Sequence, residues 1–105
     1  MDGALLDTME AIFEERGWWD GGFSGPQSNR VCLGQCMEKA LVMIYGTDAR
    51  YHDLQMEFLK IINSLFPHPV PGGQWLSIPP WNDAAPDRTF GDVQLVLKHA
   101  RAEAE

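Results

Sequence analysis

Hydrophobic residues recur at three- and four-residue steps over four stretches of this chain, and each stretch reads as an amphipathic helix. In the first, residues 3–16, Leu5, Leu6, Met9, Ile12 and Phe13 form an apolar stripe. Asp7, Glu10 and Glu14 take the other side, and Gly17 ends the helix. The second is predicted from Val31 to Tyr45, with Ser28 or Asn29 as its cap and Gly46 as its stop. Leu33, Met37, Ala40, Leu41 and Ile44 are its expected buried stripe. A third, capped by Asp48, carries Tyr51, Leu54, Phe58, Ile61, Ile62 and Leu65 at helical spacing until Phe66-Pro67 halts it. The last begins at Thr89, where Thr89-Phe90-Gly91-Asp92 resembles a capping box with Asp replacing the usual Glu or Gln. Phe90, Val93, Val96, Leu97 and Ala100 then supply its apolar face.

Two segments break this period. Residues 18–29, WWDGGFSGPQSN, contain three glycines and one proline, and residues 67–87 hold six of the chain's seven prolines. Both carry tryptophan: Trp18 and Trp19 in the first, Trp75 and Trp81 in the second. A flexible linker has no use for such residues, so the expectation is ordered coil pinned to the helices by aromatic burial, with room in the second segment for a short helical turn. The fold class that follows is all-α: one compact four-helix domain over residues 1–105, with two ordered aromatic-, Pro- and Gly-rich loops.

Composition narrows the functional classes. With 45 % hydrophobic and 22 % charged residues in 105, the chain is globular and long enough for one core. Its net charge of −7 is concentrated at the start, where Asp2, Asp7, Glu10, Glu14, Glu15 and Asp20 face only Arg16. That sign argues against direct binding of nucleic acid or anionic membranes, and suits either a solubilising face or a basic partner. The longest apolar run, Ala40 to Tyr45, falls far short of a bilayer span, and the start of the chain lacks the basic residues of a secretory signal. The expected location is the cytoplasm.

Candidate chemistry is sparse. Cys32 and Cys36 are the only thiols, and their i, i+4 spacing on a helix disfavours a disulfide. With His52, His68 and His99 scattered, no metal or cofactor site is expected. Cys32 near a helix start is the one nucleophile candidate, needing a histidine base supplied by the fold; the competing reading is a core-facing thiol. Trp81-Asn82-Asp83, bracketed by Pro80 and Pro86, reads as a structural turn, with Arg88 as an ion-pair partner for Asp83 or Asp87. Trp18, Trp19, Trp75 and Trp81 divide between core and interface, since tryptophan serves both, and Glu14 is a candidate rim acid beside them.

Gly17-Trp18, Val31-Cys32-Leu33-Gly34, Trp81-Asn82-Asp83, Arg88-Thr89 and Val93 together resemble a small uncharacterised family of helical proteins from actinobacteria and their phages. The chain departs from that pattern at Gln35-Cys36, where small apolar residues are usual, and in its longer aromatic first loop. The resemblance implies an architecture and a source, and no activity, substrate or cofactor. Three functions are therefore weighed. The leading expectation is a non-enzymatic protein-interaction or regulatory module, in one version phage-encoded and acting on a host protein. The alternatives are a small Cys32-dependent hydrolase or transferase and a structural homo-oligomer subunit.

Overall fold

The computed structural model describes residues 1–104. It is all-α, with α1 Gly3–Arg16, α2 Leu33–Tyr45, α3 Tyr51–Leu65, a short α4 Ile78–Asn82 and α5 Phe90–Glu103. Helix α1 packs on α2 and α5, and α3 also packs on α2 and α5, so the four long helices close a ring around one core. Helix α4 lies against α2. Among the described residues the only β-type pairing is an isolated parallel bridge between Trp18 and Val31.

The helix faces match the apolar periodicity closely. Leu5, Leu6, Met9, Ile12 and Phe13 are buried on α1, and Val93, Val96, Leu97 and Ala100 on α5. Asp2 caps α1 by accepting from the Leu5 amide at 2.8 Å. Thr89 and Asp92 form the expected reciprocal capping box on α5, at 3.3 and 3.1 Å. At the end of α2, Gly46 adopts φ +75°, the left-handed conformation that only glycine takes without steric cost.

Three helix starts and faces differ from the sequence expectation. Helix α2 begins at Leu33, and its cap is Cys32 rather than Ser28 or Asn29. The Cys32 sulfur accepts from the Gln35 amide at 3.4 Å while the Gln35 side chain accepts from the Cys32 amide at 3.2 Å, a capping box written with Cys. Val31, lost from the helix, exchanges backbone bonds with the first loop instead: Trp19 N–H donates to its carbonyl and its own N–H donates to Gly17. Asp48 gives α3 no side-chain cap; its carbonyl accepts from the Tyr51 amide, and Arg50 immediately precedes the helix. Ile44 is exposed, together with Val42 and Met43, because the last turn of α2 turns Leu41 and Tyr45 toward the core and these three residues away from it.

Candidate functional site

The Trp-Asn-Asp segment is the polar hub of the fold. Asn82 closes α4 and is fully buried. Its Oδ1 accepts from the Trp18 indole N–H at 2.7 Å and from the Leu33 amide at 2.9 Å. Its Nδ2 donates to the Trp19 carbonyl at 3.1 Å and to Asp83 Oδ1 at 2.8 Å. Two acceptor and two donor bonds are the full capacity of an asparagine side chain, so one residue joins the first loop, the start of α2 and α4. The early Gly-Trp and the late Trp-Asn-Asp motifs meet in this single knot.

Arg88 lies beside it, buried. Its Nε donates to the Trp81 carbonyl at 2.8 Å, and its ion pair is with Asp92, at 3.4 Å, one turn along α5. The expected partners, Asp83 and Asp87, are not the ones it contacts; packing of the guanidinium over Trp81 at 4.3 Å and Phe66 at 4.8 Å aims it at α5. Burial lowers its pKa from the usual arginine value, with Asp92 and Asp87 opposing the shift.

The tryptophans are divided unequally. Trp75 and Trp81 are core residues, which removes them as surface anchors. Trp75 donates its indole N–H to the Phe66 carbonyl at 3.2 Å and exchanges two bonds with Asn63. The Trp81 indole N–H is buried with no partner among the described residues. Trp18 and Trp19 are half-buried; Trp19 ties its indole to the Gly25 carbonyl at 3.0 Å, closing the first loop on itself. Arg30 completes that closure with bonds to Ser24 and the Pro26 carbonyl.

Cys32 is half-buried and held as a cap, and Cys36 is buried, donating its S–H to the Met9 carbonyl at 3.3 Å. A helix N-terminus would depress the Cys32 pKa, but burial outweighs it and pushes the thiol up, helped by the Asp83 carboxylate. Burial drives Cys36 up much further. Neither thiol has the environment of an activated nucleophile.

The open concave surface with coherent chemistry lies between α1 and α5, which run antiparallel. It is a groove of about 460 Å³ lined by Glu10, Phe13, Glu14, Phe90, Gln94 and Leu97. Phe90 forms the middle of an aromatic row, 5.3 Å from the Phe13 ring centre and 6.4 Å from that of Trp18, to which it is nearly parallel. Of the sequence candidates, Glu14 lines this groove, and Trp18 stacks on Phe90 from outside its lining. A larger cleft of about 560 Å³ near Asp2, Tyr45 and Arg50 has part of its polar lining engaged internally: Tyr45 O–H donates to Asp2 at 2.8 Å, and Arg50 lies over the Tyr45 ring. The groove was not legible in the sequence. Phe13, Phe90 and Leu97 read as core positions; Phe13 and Leu97 are buried, and Phe90 alone of the three is partly exposed at the seam between α1 and α5.

Helices closed around one core and bound by a buried asparagine knot define a small all-α domain. The chain belongs to the family of unknown function DUF6197, whose pattern matches residues 2–103. No match is found among curated proteins, and none among solved structures. No helix is long and apolar enough to cross a membrane among the described residues.

Proposed function

We propose that this protein is a non-enzymatic interaction module that binds a protein partner in the α1/α5 groove. The observation that carries this reading is the juxtaposition of Phe90, partly exposed over the buried Phe13 and Leu97, with an acidic wall, Glu10 and Glu14 on consecutive turns of α1. Interfaces draw their energy from buried aromatic contacts at the centre and their steering from charge at the rim, and this groove offers both. The Asn82, Arg88 and Thr89 side chains, by contrast, are committed to internal bonds and serve the scaffold. The motif resemblance supports an actinobacterial or actinophage source, and a phage-encoded, cytoplasmic module acting on a host protein is the form of the proposal that fits it.

A photo-cross-linking residue placed at Gln94 in the groove, compared with one at the exposed His52 of α3, tests this in living host cells. A defined protein adduct from position 94 and none from 52 is expected. Equal adducts from both positions, or none from 94, would contradict it.

A second reading, self-association, is favoured by Val42 and Met43, exposed beside Ile12 along the α1/α2 edge. Light scattering that gives a dimer mass reduced to monomer by Met43→Lys would support it.

A further inference from the structure

The chemistry of the groove's occupant follows from an incomplete charge ladder. Asp7, Glu10 and Glu14 stand three and four residues apart, so they line one side of α1. Helix α5 answers the first two with a single cation: Arg101 Nη2 lies 2.9 Å from Asp7 and 3.0 Å from Glu10. One turn further along the antiparallel pair, α5 presents Gln94 and Leu97 instead, and Glu14 has no ion pair among the described residues. Glu14 also sits in the last turn of α1, where the helix dipole adds negative potential rather than relieving it.

We propose that the missing cation is an arginine of a basic partner segment, its guanidinium against Glu14 and its stem along the partly exposed Phe90 ring. The proposal rests on the groove being the contact surface. Arginine rather than lysine is specified because a planar, weakly hydrated guanidinium stacks on aromatic faces and forks to carboxylates. The protein already uses arginine in both ways, with Arg88 4.3 Å above Trp81, Arg50 4.3 Å above Tyr45 and Arg101 on the neighbouring acids. A chain of net charge −7 also draws a basic segment toward it.

The test is a titration of the labelled protein with a capped Gly-Leu-Arg-Leu-Gly peptide, followed by amide chemical shifts. Saturable shifts at Glu14, Phe90 and Gln94 are expected, weakened roughly fivefold or more by Glu14→Gln and by raising salt from about 50 to about 500 mM. Glu14 is exposed, so this variant keeps the fold. The same peptide with citrulline, which keeps the shape and loses the charge, should not bind. Equal binding of the citrulline or lysine peptide, indifference to Glu14→Gln, or no saturable shift at these amides up to about 20 mM would each overturn the proposal. A partner still cross-linked from position 94 in that case would leave the interaction reading standing without the arginine.

Discussion

Replacing Asn82 by alanine should unfold much of what the fold has to lose. The substitution removes both acceptor bonds of Oδ1 and both donor bonds of Nδ2. The Leu33 amide is the most exposed to penalty, because Leu33 is fully buried and its N–H has no access to water. A buried donor left unpaired costs about 1–3 kcal/mol. The Trp18 indole and the Trp19 carbonyl belong to half-buried residues and recover part of their loss by hydration, roughly 0.5–1 kcal/mol each remaining. The sum, about 2–5 kcal/mol, is a large share of the roughly 5–15 kcal/mol typical of a domain. Urea unfolding should show a midpoint lowered by that free energy divided by the slope, with the slope unchanged, and the thermal midpoint should fall by about 10 °C or more. Asn82→Asp is the companion variant: it keeps the acceptors but loses the donors and places a carboxylate against Asp83, so it should also destabilise at neutral pH and recover partly as the pH falls. A loss below about 1 kcal/mol for Asn82→Ala would refute the assignment of this residue as the structural hub.

Gly21 should resist substitution for two reasons: its φ is +84°, and a Cβ there would fall within 2.4–2.8 Å of the Asp83 side chain. Gly21→Ala is expected to lower stability by about 1–3 kcal/mol in urea unfolding, and an unchanged midpoint would contradict the close approach of loop and turn. At the start of α2, serine is a better cap than the cysteine it would replace, so Cys32→Ser should be neutral or stabilising while Cys32→Ala costs about 0.5–1 kcal/mol. If the serine and alanine variants unfold alike, the sulfur is not capping the helix. Acid should also weaken the fold through Asp2 and Asp20. The Leu5 amide and then the Tyr45 hydroxyl hold Asp2 below its ordinary 3.8. Burial acts to raise Asp20, but bonds from Ser24 and Gly22 overcome it and leave that carboxyl low as well. Folded values below the unfolded ones give stability that is full above about pH 4 and lost as pH falls through the depressed values. Urea midpoints from about pH 5 to about pH 2 should therefore fall less steeply in Asp2→Asn/Asp20→Asn than in the parent chain, and equal slopes would contradict the linkage.

The helices and most of their buried faces were legible because period and caps agreed locally: Leu5 to Phe13, Phe58 to Ile62 and Thr89 to Asp92 all needed only neighbours in sequence. The errors lie where a distant partner decides. Cys32 caps α2 because Asn82, 49 residues away along the chain, holds the Leu33 amide, and the sequence around Ser28 gives no sign of that. Ile44 matched the helical stripe but lies at its edge, and the packing of α2 buries Leu41 and half-buries Tyr45 instead. Arg88 has three acids within reach in sequence, and its stacking on Trp81 and Phe66 selects Asp92. The candidate groove was the least legible feature, since a furrow between two paired helices is a property of their pairing and of neither alone.

Filling the groove decides whether a partner binds there. Gln94 is exposed and lines it, so Gln94→Trp occupies the space above Phe90 and Leu97 without entering the core. The partner identified by cross-linking should bind this variant at least about tenfold more weakly than the parent chain, with the thermal midpoint unchanged. Full affinity in a folded Gln94→Trp protein would place the binding surface elsewhere.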